Sequence, residues 1–212
     1  MEKKKSSQAG IVQFDVQNGR IETNMKVILN HLEKLSLNGV SLAVLPEMFS
    51  CGFDNHHLSE HATHTKKIIA TFCSFAKTRH IAIAGSLPVN EDGKIFNTMI
   101  FIDTDGTIAA AYKKIHLFKL TDEHLFYSAG KTPAIVETSF GRIGMMICYD
   151  LRFPELSRTL FKNGVNMILV SAQWPGARKN HWITLSKARA IENQLFMICS
   201  NRTGTDGELD FT

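Results

Sequence analysis

Two hydrophobic periods alternate along this chain. Ile21, Met25, Ile28, Leu29, Leu32 and Leu35 recur at the spacing of one helix face, and residues 62–79 repeat that spacing with Ile68, Ile69, Phe72 and Phe75. Short apolar runs at 9–16, 41–45 and 81–87 read as strands around these helices. The pattern then changes. Runs at 96–102 and 107–112 flank Asp103-Thr104-Asp105-Gly106, and runs at 134–138 and 142–147 flank Ser139-Phe140-Gly141, which predicts two antiparallel hairpins. A long connection at 113–130 separates them. Residues 153–162 read as a helix with Pro154 in its first turn and a stop at Asn163-Gly164. A strand at 167–171, a helix at 179–194 and a strand at 196–200 follow. Strands alternating with helices, plus two hairpins, predict a mixed α/β layered fold. One domain is expected over residues 9–212, behind a disordered basic leader at 1–8.

Composition narrows the class. The chain has 212 residues, 44% hydrophobic and 21% charged, which suits a soluble globular protein with a sizeable core. No apolar run approaches the roughly 20 residues that span a bilayer. The N-terminus is charged and lacks the apolar stretch of a signal peptide, so no membrane association and a cytoplasmic location are expected. Net charge is +4, and apart from Lys3 to Lys5 the cations are scattered. No basic stripe with interleaved aromatics argues for nucleic acid. Cys51, Cys73, Cys148 and Cys199 show no CxxC spacing, so neither a zinc ribbon nor a dithiol redox motif is expected.

Cys148 carries the most chemical information. It ends the apolar run Ile143-Gly144-Met145-Met146-Ile147 and sits just ahead of the helix that begins near Phe153. Backbone N–H groups in such a setting favour negative charge, which can lower a thiol pKa and can stabilise an oxyanion. A buried structural cysteine is the alternative. A thiol nucleophile needs a base, and His116 and Glu47 are both candidates. Glu47 follows the apolar approach Leu42-Ala43-Val44-Leu45-Pro46, where desolvation would raise its pKa toward a working range. Lys113 and Lys114 are both placed to stabilise an oxyanion. No Gly-x-Ser-x-Gly elbow, P-loop or Gly-x-Gly-x-x-Gly run competes.

Three blocks in order, Leu45-Pro46-Glu47, Tyr112-Lys113-Lys114-Ile115-His116-Leu117-Phe118 and Ile147-Cys148-Tyr149-Asp150-Leu151-Arg152-Phe153-Pro154-Glu155, resemble the catalytic blocks of the nitrilase superfamily of carbon–nitrogen hydrolases. Further similar stretches are Asp122-Glu123-His124, Gln173-Trp174-Pro175 and Ala188-Arg189-Ala190-Ile191-Glu192-Asn193-Gln194, so the resemblance runs over nearly the whole chain. It implies a four-layer α-β-β-α sandwich with mixed sheets, usually dimerised through one helical face. It also implies Glu47 as general base, Lys114 as oxyanion-stabilising lysine, Cys148 as nucleophile and Glu123 as the second glutamate that positions substrate and lysine. The implied reaction releases ammonia from an amide through a Cys thioester, with no metal or organic cofactor.

Cys148 to Pro154 together with Gln173-Trp174-Pro175 and His181-Trp182 most resemble the ω-amidase branch, which hydrolyses short dicarboxylate monoamides such as 2-oxoglutaramate and 2-oxosuccinamate. A small anionic substrate needs a cation away from the scissile amide, and Arg152, Arg178 and Lys179 are available. Tyr149 supplies a backbone N–H to the oxyanion, while Trp174 and His181 are expected beside the substrate. N-carbamoyl compounds or aliphatic amides are the alternative substrates, and a catalytically silent, truncated interaction module is a third reading. Family members continue past Asn201-Arg202-Thr203-Gly204 through further strands, so C-terminal strands are expected to be missing here.

Overall fold

The computed structural model describes residues 7–207 and 209–211. The expected leader therefore falls outside the described residues as far as Ser6, while the Gln8 carbonyl already accepts backbone hydrogen bonds from Ser41 and Leu42.

The first half builds one sheet. Strands β1 (Ala9–Ile11), β2 (Leu42–Val44), β3 (Ala82–Glu91), β4 (Lys94–Ile102) and β5 (Ile108–Lys113) lie in sequence order. β1, β2 and β3 are parallel, connected by helices α1 (Ile21–Leu37) and α2 (Leu58–Arg79), and β3, β4 and β5 form an antiparallel meander. Alternation sorts the side chains: Ala43, Leu45, Ile83 and Ile100 join Ile28, Leu32, Ile68 and Phe72 of the two helices, whereas Leu42, Val44, Ala84, Met99 and Phe101 face the other way.

The second half builds the other. Strands β6 (Ile135–Thr138), β7 (Gly141–Ile147), β8 (Met167–Ala172) and β9 (Phe196–Asn201) form a four-stranded sheet, antiparallel at β6–β7 and parallel beyond. Helices α4 (Pro154–Lys162) and α5 (Lys179–Asn193) cover its outer face, and the short α3 (Glu123–Phe126) lies in the long connection. Ile147, Leu169 and Ala172 of this sheet share a buried cluster with the inward residues of the first. The layers are therefore helix, sheet, sheet, helix, as the resemblance implied.

Two boundaries moved for physical reasons. The run at 9–16 pairs with β2 only to Val12, whose N–H reaches Val44 O at 2.9 Å; beyond it the chain swings toward the second sheet, where Thr203 N reaches Phe14 O at 2.9 Å. Val12, Phe14 and Val16 stay buried all the same. β3 continues through Pro88 to a turn at Asp92-Gly93, making a hairpin that the sequence pattern stopped short of. Pro88 lies beyond the end of β2, so its missing N–H costs no ladder bond on that side. A further two-stranded hairpin, β10 (Thr205–Asp206) with β11 (Leu209–Asp210), follows β9. None of the described helices is long and apolar enough to cross a membrane.

Candidate active site

Two strand ends and a loop meet between the sheets. β2 runs through Leu45-Pro46 into Glu47, whose N–H reaches Ala172 O of β8 at 3.3 Å, and the chain then turns sharply at Met48, with φ 45°. Lys114 follows β5, its N–H bonded to Asn97 O of β4 at 2.9 Å and its carbonyl accepting from Gly130 N at 2.8 Å. Glu123 opens α3. All three side chains are buried to within 2%. The Lys114 ammonium donates to Glu47 Oε1 at 2.7 Å and to the two Glu123 oxygens at 2.9 and 2.8 Å. Asn97 Nδ2 bridges the same carboxylates, at 2.8 Å to Glu47 and 3.2 Å to Glu123. The Gln173 N–H holds Glu47 Oε2 at 3.0 Å, and the Phe118 N–H holds Glu123 Oε2 at 2.7 Å.

Cys148 begins a single 3₁₀ turn, Cys148–Arg152, at the end of β7, in the left-handed region with φ 45°. Such a backbone costs a non-glycine residue about 1–3 kcal/mol and must be held by its surroundings. Asp150 does this. Its Oδ2 accepts from Ile147 N at 3.0 Å and the Tyr112 hydroxyl at 2.7 Å, and its Oδ1 accepts from His116 N at 3.0 Å and lies 2.8 Å from His116 Nδ1. His116 stacks on Phe153 with ring centroids 3.6 Å apart. Tyr112 and His116 flank Lys114, so Asp150 ties the lysine segment to the cysteine turn. Of the two candidate bases, His116 is engaged with Asp150, whereas Glu47 lies near enough to Cys148 for its charge to act on the thiol.

The electrostatics correct one expectation. The strand-end setting suggested a lowered thiol pKa, but burial, reinforced by the Glu47 charge, pushes the Cys148 thiol well up, against an opposing pull from Lys114. Burial also raises Glu47, and the charge of Glu123 adds to that while Lys114 opposes it. For Lys114 burial works against the charge, yet Glu123 and Glu47 outweigh it and hold the ammonium form. Burial thus favours the neutral thiol and makes the neighbouring Glu47 carboxyl easier to protonate than usual. The pair can pass one proton with little change in net charge.

These groups form the floor of a cavity of about 250 Å³. Phe53, Phe118, Trp174 and Phe211 give it aromatic walls, and Arg152 and Arg178 supply cations. The Arg152 guanidinium sits 4.9 Å from the Trp174 ring centroid, and its Nη2 lies 3.2 Å from His181 Nδ1. His181 is not among the lining residues and meets the cavity only through Arg152. Lys179 is not among them either. Six lining residues escaped the sequence reading: Phe53, Asn55, Thr121, Asp206, Leu209 and Phe211. So did Asn97, although an asparagine on the buried apolar strand β4 is a signal that a partner must exist.

Comparison with known proteins places the fold and the chemistry. The sequence profile of the family described as carbon-nitrogen hydrolase matches residues 8–212. A 2-oxoglutaramate amidase of Bacillus subtilis (strain 168) is 37% identical over 202 residues, covering 94% of this chain and 78% of that protein. Omega-amidase YafV of Escherichia coli (strain K12) is 37% identical over 181 residues, covering 84% of this chain and 69% of that protein. The crystal structure of a carbon–nitrogen hydrolase superfamily protein from Xanthomonas campestris, bearing an arsenic adduct in its active site, superposes with a TM-score of 0.87 at 34% identity, over 96% of this chain and 78% of that one. The chain belongs to the carbon–nitrogen hydrolase family and is an amidase of it.

Proposed function

We propose that the enzyme releases ammonia from short dicarboxylic acid monoamides, with Cys148 as nucleophile, Glu47 as general base and acid, and Lys114 with the Tyr149 backbone N–H as oxyanion donors. The observation that carries this reading is the buried Glu47–Lys114–Glu123 cluster beside Cys148, in a cavity that also holds two arginines. Relatives named 2-oxoglutaramate amidase and omega-amidase support the substrate class.

Sulfur attacks the amide carbon as Glu47 takes the thiol proton, and the carbonyl π electrons move to oxygen, which the Lys114 ammonium faces. Collapse of the tetrahedral adduct expels the amine nitrogen, which takes that proton from Glu47 and leaves as ammonia. A water then adds to the thioester, giving one proton to Glu47; as the C–S bond breaks the thiolate takes that proton back from Glu47, and the carboxylic acid leaves and ionises in solvent, where ammonia takes up its proton. Glu123 acts by holding Lys114. Arg152 and Arg178 are the cations that take the distal carboxylate, and Trp174 walls the pocket. Two copies pair through the outer helices, where Phe161, Ile183 and Ile191 are exposed, and the free thiol works in a reducing cytoplasm.

The test is ammonia release from a panel of dicarboxylate monoamides, neutral aliphatic amides and N-carbamoyl compounds, with Cys148→Ala beside the parent chain. The monoamides should give the highest kcat/KM, and the variant should release none. Undiminished release by Cys148→Ala would remove the nucleophile assignment, and preference for carbamoyl compounds or neutral amides would overturn the substrate class.

A further inference from the structure

Asp54, His57 and His61 lie outside the Cys148 cavity, and the proposed reaction does not use them. His57 caps the start of α2 and His61 stands four positions on, in its first turn, so both rings lie at one side of the helix start. Asp54 comes from the loop that follows Glu47. One carboxylate meets both rings: Asp54 Oδ2 is 2.9 Å from His61 Nε2 and 3.0 Å from His57 Nδ1. One donor atom from each residue fits in a set whose members all lie within 4.8 Å of one another. The place of the carboxylate is built into the backbone. Gly19 has φ +69°, and a Cβ there would come to 2.8 Å from Asp54 Oδ2.

We propose that Asp54, His57 and His61 form a binding site for one divalent transition-metal ion of the zinc type. Two imidazoles and a carboxylate are a donor set that suits zinc, with bonds of about 2.0–2.2 Å and donor atoms therefore about 3.3 Å apart around a tetrahedral ion. The two histidine–carboxylate separations are already close to that edge length. Water can complete the shell, because the His57 side chain is 63% exposed, and His61 also lines a second cavity of about 550 Å³ between α1 and α2. Each ring nitrogen that faces Asp54 would exchange its hydrogen bond for a metal bond, its proton moving to the other ring nitrogen or to solvent. Binding is therefore weaker in acid, where the imidazolium has no lone pair to give.

The consequence reaches the active site. Phe53 and Asn55, on either side of Asp54, both line the Cys148 cavity. A metal joining Asp54 to the first turn of α2 would pin that stretch of cavity wall to a long helix. Without metal the three residues form only a hydrogen-bonded clamp.

The test uses the tag-free full chain carrying Cys148→Ala, so that the active-site thiol cannot compete as a ligand. After chelator treatment, Zn²⁺ is titrated by calorimetry and Co²⁺ by visible absorption. One equivalent of each should bind, Co²⁺ with the d–d bands of a low-coordinate site. His57→Ala and His61→Ala should each weaken binding by at least about tenfold, as loss of one of three protein ligands does. His57 is exposed, so its variant keeps the fold even where His61→Ala does not. No uptake of Zn²⁺ by the Cys148→Ala chain would overturn the proposal, as would binding that His57→Ala leaves unchanged; either result leaves the clamp alone. Neither outcome bears on the amidase reading, since Cys148 is absent from this experiment.

Discussion

Glu47 and Asp150 are both fully buried carboxylates just past the end of a strand, one after β2 and one after β7, yet the fold treats them differently. Asp150 is saturated: a phenol, two backbone N–H groups and an imidazole fill its oxygens. Glu47 faces an ammonium, an amide and one backbone N–H, one donor fewer, and lies beside Cys148. Burial without full compensation is what raises the pKa of a carboxyl and lets it trade a proton. A saturated carboxylate has nothing left to trade and becomes a rivet, here between the Lys114 segment and the Cys148 turn. The same residue chemistry thus leaves spare acceptor capacity in one place and makes a brace in the other, and the number of donors around it decides which.

The comparison breaks most sharply at Glu47. Glu47→Gln keeps the size and leaves Lys114 paired with Glu123, so the fold should survive while kcat falls on the order of 10²–10⁴, the usual worth of a positioned base. Circular dichroism and steady-state ammonia release together decide it, and a variant of parental activity would take Glu47 out of the chemistry. The parent should also lose kcat/KM in acid. Glu47 must be ionised to accept the thiol proton, and its raised pKa puts that acid limb above the usual glutamate range. Because Lys114 is held as ammonium, it contributes no alkaline limb below its ordinary range.

Asp150→Asn tests the brace. The amide cannot accept from four donors, so one or two are left unpaired in the interior, at about 1–3 kcal/mol of stability each. Loosening the Lys114 segment against Cys148 should lower kcat roughly 10- to 100-fold, the effect typical of a lost supporting contact, with KM changed much less. Unchanged kcat in a destabilised variant would make Asp150 purely structural.

How much of this could be read from the chain depended on the range of the cause. Helix faces such as Ile21 to Leu35 and the hairpin around Asp103-Thr104-Asp105-Gly106 are local patterns, and they were legible. The reach of β3 past Pro88 was not, because it depends on where a different strand, β2, happens to end. Glu47, Lys114 and Cys148 stood out as polar residues after apolar runs and by family resemblance. The saturation of Asp150 was hidden, since its donors come from residues 112, 116 and 147. The thiol pKa went the wrong way for the same reason: a strand-end motif announces N–H dipoles, whereas burial and the nearby Glu47 charge are tertiary facts. Phe211 and Leu209 reach the cavity only because β10 and β11 fold back over it.

The smallest effects lie at the far end of the cavity and sharpen the contrast between groups that touch substrate and groups that hold another side chain. Arg152→Ala should raise KM for a dicarboxylate monoamide about tenfold, as loss of a charge-assisted contact of roughly 1.4 kcal/mol would do, while KM for a neutral amide barely moves. His181 meets the site only through Arg152 Nη2, at 3.2 Å and on the exposed side. His181→Ala should therefore shift the same KM only about two- to threefold, within the range of an exposed polar contact. In the Arg152→Ala background, His181→Ala should add nothing, because the residue it steadies is gone. Equal effects of His181→Ala in both backgrounds would mean that His181 contacts substrate directly, and the boundary of the binding site would have to be drawn outward to include it.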